Sequence, residues 1–96
     1  MVEDLGTFPN GGTSYAAALN SNGCVVGTAY LDASGADNFR AAVWLPGTLG
    51  AQNLNNLIPQ TAGWLLRQAT GINDAGQIVG WGYVNNQTRA FRLSPA

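Results

Sequence analysis

The chain has 96 residues, of which 9% are charged, and a formal net charge of −1. A typical soluble domain has roughly 25% charged residues, so this polar surface depends on Asn, Gln, Ser, Thr and Gly. The near-neutral balance argues against nucleic acid, which is bound through clustered Lys and Arg. With no His and one Cys, the sequence excludes an internal disulfide and a histidine or multi-cysteine zinc site.

The sequence shows no targeting signal that would indicate a cellular compartment. No apolar run approaches the roughly 18 residues that a membrane helix needs, so no membrane span is expected. Residues 1–4 are acidic and do not resemble the start of a signal peptide, so we expect no export signal in this chain.

The sequence of the first half of the chain predicts short strands separated by turns. Residues 20–23, Asn-Ser-Asn-Gly, are typical of a tight hairpin because Asn and Gly tolerate a positive φ. Val25 and Val26 then favour extended backbone. The predicted strands span residues 2–8, 15–19, 24–30, 39–45 and 51–57.

The second half repeats the first. LNSNGCVVGTAY at residues 19–30 matches INDAGQIVGWGY at residues 72–83, an offset of 53. Two further matches have an offset of 49: residues 40–46 with 89–95, and residues 3–5 with 52–54. We therefore predict one domain, residues 1–96, made of two tandem repeats at about 2–46 and 51–95. The remaining predicted strands span residues 68–72, 77–83 and 88–93.

Four-stranded antiparallel units of this length are typical of β-propeller blades. The predicted order is one lone strand, then four strands, then three, so the N-terminal strand of one chain can complete the last blade of another. The sequence thus predicts an all-β fold with two propeller-like blades per chain, closed by cyclic homo-oligomerisation from dimer to tetramer. The alternative is a two-sheet β-sandwich.

The repeats resemble a known family. DLGTFPNGG at residues 4–12, INDAGQIVG at residues 72–80 and RAF at residues 89–91 are similar to the bacterial extracellular HAF repeat, with Arg in place of its His. The resemblance covers nearly the whole chain. It implies repeat arrays, a propeller-like fold and a secreted protein, and it supplies no catalytic residue, because the family has no established activity.

The sequence contains few residues that could act in catalysis. Without His or Lys, a catalytic triad or a Schiff base cannot form within one chain. Asp74 lies in a turn, where bonding to its own backbone explains it, and Cys24 has no nearby positive charge to activate it. The oxygen-rich loop at residues 32–38 is expected to be a solvated hairpin tip and not a calcium site. We predict no enzyme activity, cofactor or metal.

Aromatic residues are the best candidates for recognition. Trp64 and Trp81 align with Gly11 and Thr28, so each is added to one repeat only, whereas Tyr83 recurs as Tyr30. Unmatched aromatic residues on a repeat scaffold are suited to binding, or they pack between blades or subunits. The candidate ligand-binding residues are Trp64, Trp81, Tyr83 and Arg89.

Three functions follow from these observations. The first is a non-enzymatic binding module for a glycan or a protein. The second is a structural unit whose only partner is itself. The third, least favoured by the residues present, is an enzyme with a site shared between subunits. Exposure of Trp64 and Trp81 would favour the first function, and their burial at contacts would favour the second.

Overall fold

The computed structural model describes residues 1–34, 38–59 and 62–95, and these form two antiparallel β-sheets, with a short 3₁₀ turn at Leu54–Leu57. The first sheet has the order β1 (Ser14–Leu19), β2 (Val25–Tyr30), β3 (Phe39–Trp44) and β4 (Gln52–Asn53). The second has the order β5 (Trp64–Ile72), β6 (Ile78–Val84) and β7 (Gln87–Leu93). The predicted all-β class is confirmed.

The shared Asn-x-x-Gly sequence builds the same turn in both repeats. Asn20 Oδ1 accepts the backbone N–H groups of Asn22 and Cys24 at 3.1 and 3.0 Å. Asn73 Oδ1 accepts the N–H of Gln77 at 2.9 Å. Gly23 and Gly76 close these turns at φ values of 88° and 83°, a region that favours glycine.

The shared glycine of β2 and β6 is required by close backbone packing. The neighbouring strands β1 and β5 carry irregularities in register next to it. A Cβ on Gly27 would overlap the carbonyl oxygen of Tyr15, and a Cβ on Gly80 would overlap that of Gln68. The repeated Val-Val-Gly and Ile-Val-Gly sequences therefore encode the approach of two strands.

The main core lies where β5 packs against the first sheet. It contains Val26, Ala41, Val43, Leu54, Leu66, Ala69 and Ile78. The opposite face of the first sheet packs a second cluster of Phe8, Ala29, Ala42 and Trp44. The first sheet is thus buried on both faces, and the second sheet is buried mainly along β5.

The two repeat turns contact each other directly. Asn20 Nδ2 donates to the carbonyl of Asn73 at 3.0 Å, and the N–H of Ser21 donates to Asp74 Oδ1 at 2.9 Å. The sequence assigned the Asp74 carboxylate to its own backbone, whereas the structure gives it a partner from the other repeat. Equivalent turns therefore join neighbouring repeats.

The N-terminal strand predicted over residues 2–8 is not formed within the single chain. These residues carry no strand, because Gly6 turns the chain at a φ of 89° and its N–H bonds to Asp4 Oδ1. The segment crosses the outer face of the first sheet, where Gly6 O accepts the indole N–H of Trp44 at 3.1 Å. Phe8 packs below it and is 5% exposed.

Two further strand boundaries were wrong. Of the strand predicted over residues 51–57, only Gln52–Asn53 is extended. Leu54–Leu57 forms the 3₁₀ turn, because Asn53 Oδ1 caps it by accepting the N–H of Asn55 at 3.0 Å. β5 begins at Trp64, four residues before the predicted position, and its apolar start packs on the first sheet.

Candidate functional site

Trp81 and Tyr83 form a pair on the central strand of the second sheet. Their ring centroids are 5.9 Å apart in an edge-to-face arrangement. The indole N–H of Trp81 donates to Gln68 Oε1 at 2.7 Å, which fixes the orientation of the ring. Trp81 is half-buried, and Tyr83 is 37% exposed. Two of the four predicted residues are therefore together and partly open to solvent.

Trp64 and Arg89 lie on the other face of the second sheet. Register places Arg89 opposite Gly82 and Trp64 opposite Val84, whereas Trp81 and Tyr83 alternate with these β6 residues. The four predicted residues therefore do not form one site.

Trp64 borders an apolar groove of about 340 Å³ between β7 and the segment that precedes β5. Its ring packs edge-to-face on Phe91, with centroids 6.3 Å apart. Trp64 is half-buried by this contact. Arg89 is exposed, and its guanidinium donates to the carbonyl of Thr88 at 2.9 Å and to the side chain of Gln87.

The sequence did not indicate the surroundings of Arg67. This residue lies at an irregularity of β5 and is 7% exposed. Its guanidinium carbon is 3.9 Å from the ring centroid of Phe39 and 5.4 Å from that of Tyr83, within the range of cation–π interactions. Phe39 also packs edge-to-face on Trp81. An arginine directly after the apolar run at residues 64–66 was the one available signal.

Arg40 lies close enough to Arg67 for their charges to interact. Burial lowers the pKa of the Arg40 guanidinium below its ordinary value, and the positive charge of Arg67 lowers it further. Arg40 Nη1 donates to the carbonyl of Phe39 at 2.9 Å. Arg40 and Arg67 thus lie at the same end of the molecule as Phe39 and Tyr83.

A largely uncovered surface surrounds Trp81 and Tyr83. We call it the β6–β7 face and define it by Val79, Trp81, Tyr83 and their β7 neighbours Thr88, Ala90 and Arg92. Val79 is 43% exposed, and the three β7 residues are exposed. The face combines apolar groups, two aromatic rings and one positive charge.

Acidic groups and Cys24 are dispersed. Among the described residues, no three His, Cys, Asp or Glu side chains come together in a group that could hold a metal ion. In the loop considered for calcium, residues 35–37 lie outside the described part. Asp32 Oδ1 accepts from Ser34 N and Asn38 Nδ2, and these bonds, those of Ser34 above all, lower the pKa of its carboxyl. Cys24 is a half-buried free thiol.

Comparisons with known proteins add no relative. No family model, curated protein or solved structure matched the chain. The resemblance to the HAF repeat therefore stays a prediction. Within the described residues, no helix is long and apolar enough to cross a membrane.

Proposed function

We propose that this chain is a non-enzymatic interaction module that binds its partner through the β6–β7 face. Unequal burial of equivalent residues supports this function. Val26 is 0% exposed beneath the second sheet, whereas its counterpart Val79 is 43% exposed. Ala41 is likewise buried, and its counterpart Ala90 is exposed. An uncovered face that repeats the pattern of a covered one is suited to a docked protein.

A cyclic assembly is consistent with the same contrast. Two sheets per chain would give four blades in a dimer, six in a trimer and eight in a tetramer, and propellers typically have four to eight. Closing the ring would cover the exposed strand edges. The alternative, a β-sandwich complete within one chain, predicts a stable monomer.

A glycan is the second candidate ligand. The Trp81–Tyr83 pair presents aromatic surface, and the bond from Trp81 to Gln68 holds one ring in place before binding. Aromatic rings with fixed orientation and nearby polar groups are common in small-molecule sites. This ligand requires the rings, whereas a protein partner would use the whole face.

Binding measurements on surface variants test the proposal. Labelled wild-type chain is applied to immobilised glycans and to a panel of proteins that includes itself. Val79→Glu should abolish protein binding by placing a charge on the face, and Tyr83→Ala should weaken glycan binding by at least tenfold. Tyr15→Ala is the matched control, because Tyr15 is 62% exposed on β1 of the other sheet. Absence of binding to every glycan and protein would contradict the proposal.

A further inference from the structure

We infer that the partner of the β6–β7 face is a second copy of this chain, whose residues 3–4 pair with β7 as residues 52–53 pair with β3. The inference rests on the proposed function and specifies its partner. It also specifies the register of the contact, in which Glu3 of one copy lies across from Arg92 of the next.

The contact between β3 and β4 supplies the template. These strands are antiparallel, with Val43 opposite Gln52 and Ala42 opposite Asn53. β7 is the repeat counterpart of β3, and it forms an edge of the second sheet in the described structure. The sequence offset of 49 converts the observed pairs into Arg92 opposite Glu3 and Phe91 opposite Asp4.

Two equivalent leucines differ in burial, and the difference indicates that the single chain lacks a sheet over one of them. Leu54 directly follows β4 and is 0% exposed in the core between the sheets. Its counterpart Leu5 packs on the outer cluster of the first sheet but is only half-buried. Residues 1–4 before it are exposed, including Met1 and Val2 at 113% and 96%. A second sheet lying over this segment would bury Leu5 as Leu54 is buried.

The two surfaces that would meet are both grooved and oppositely charged. On the first sheet, a groove of about 500 Å³ is lined by Glu3, Leu5 and Val25, among others. On the second sheet, a groove of about 400 Å³ is lined by Val79 and Arg92, among others. Each groove thus combines apolar residues with one charge, and the charges are opposite.

The Glu3–Arg92 pair would favour contact between copies. Both side chains are exposed in the single chain. Opposite charges across neighbouring strands stabilise the pairing, and like charges directly opposite each other destabilise it. The internal contact has the uncharged pair Gln52 and Val43 at this position, so the charge pair belongs to the contact between copies alone.

A charge exchange tests the register. Absolute mass is measured by light scattering after size-exclusion chromatography, from about 1 to 100 μM. We expect the wild type to form a dimer, trimer or tetramer. Glu3→Arg and Arg92→Glu should each weaken association by at least tenfold, and the double variant should restore it. Asp32→Arg is the control for an added charge, because Asp32 lies in the β2–β3 loop. A monomeric wild type, or single variants that associate as the wild type does, would overturn the inference.

Mixing the two single variants gives a sharper result. In a head-to-tail assembly, the Arg92 edge of the Glu3→Arg variant accepts the Glu3 segment of the other variant, and the reverse pair is also complementary. The mixture should therefore reassemble with the two variants alternating, and only even-numbered rings can close. If the wild type is a dimer or a tetramer, a mixture that stays monomeric would contradict the pairing; if it is a trimer, a mixture that closes three-membered rings as readily as the wild type would do so.

A crosslink keeps the inference testable if charge variants fold poorly. Residues opposite each other on antiparallel strands have the separation that a disulfide needs. In a Cys24→Ser background, Glu3→Cys with Arg92→Cys should form covalent oligomers on mild oxidation. Glu3→Cys with Thr88→Cys is the mismatched control, since Thr88 lies four residues along β7. Equal crosslinking of both pairs would refute the register.

The proposed self-association and the proposed interaction function can be disproved separately. A wild type that is monomeric but binds a glycan or another protein through Tyr83 would overturn the self-association and leave the interaction module in place. A wild type that is monomeric and binds nothing would overturn both.

Discussion

The first and second sheets share a sequence motif but differ in burial. β2 is buried over its four central residues, and β3 over its last four. In β6 only two of seven residues are buried, and β7 has none. The first sheet is covered on one face by β5 and on the other by residues 5–8, whereas the second sheet has cover mainly along β5. The motif therefore determines the strand and turn, and the neighbouring segments determine what is buried.

The largest difference in stability between the two sheets is expected when the shared glycines Gly27 and Gly80 are replaced by alanine. Gly27→Ala is expected to destabilise the fold by about 3 kcal/mol or more, because its Cβ would overlap backbone that is packed on both sides. Gly80→Ala should cost less, because the second sheet is freer to shift. Urea unfolding measures both. Gly12→Ala is the control, since nothing lies within 4 Å of its added Cβ. Equal costs for Gly27→Ala and Gly12→Ala would contradict the explanation of the repeated glycine.

Val26 and Val79 test the contrast in burial directly. Val26→Ala should destabilise by about 2 kcal/mol, through lost apolar contact and the cavity that remains. Val79→Ala should change stability by less than about 0.5 kcal/mol in dilute monomer, as surface substitutions usually do. The two variants are compared by urea unfolding at low and high concentration. A cost at Val79 that increases with concentration would sharpen the comparison, since it would show that an assembly buries this residue.

The smallest effect on the free energy of unfolding is expected at Asp74, whose carboxylate accepts a hydrogen bond from the other repeat. Hydrogen bonds from the N–H and then the hydroxyl of Ser21 lower the pKa of Asp74 below its ordinary value of 3.8. Because the pKa is lower in the folded state, the stabilisation is present above about pH 3.8 and is lost as the pH falls through the folded-state pKa.

The free energy of unfolding is therefore measured from pH 7 to pH 3 for wild type and Asp74→Asn. The difference should be small, because this side chain is exposed, and it should narrow at low pH. Asp32→Asn is the comparison, since Asp32 bonds only within its own loop among the contacts described. A difference that widens as the pH falls would have the wrong sign.

Several elements were predictable because they depend on local chemistry. Asn and Gly at the repeat turns, and β-branched residues after them, placed β1, β2 and β6 within one residue. The Pro-Gly sequence at residues 46–47 and the repeat match placed β3 and β7 equally well. The segment at residues 2–8 was not predictable in this way. Its composition matches that of a strand, but Gly6 and the contact with Trp44 lay it across a sheet.

The candidate site was predicted less completely than the fold. Lack of an aromatic counterpart identified Trp64 and Trp81, whereas the recurrence of Tyr83 as Tyr30 indicated a structural role in each repeat. Pattern alone did not separate Trp64 and Arg89 from the others, because the face of each depends on strand register. Arg67 was missed, because its position beneath Phe39 results from packing between two distant strands.

The sequence by itself determined the all-β class, the two repeats and their turns, because each depends on the backbone preferences of residues close together in the chain. Only the tertiary structure decided that residues 5–8 cover the first sheet, that Asp74 bonds to Ser21, and that the β6–β7 face is left open. These features depend on which surfaces meet, and similar motifs acquire different surroundings because the first sheet is packed on both faces and the second mainly along β5.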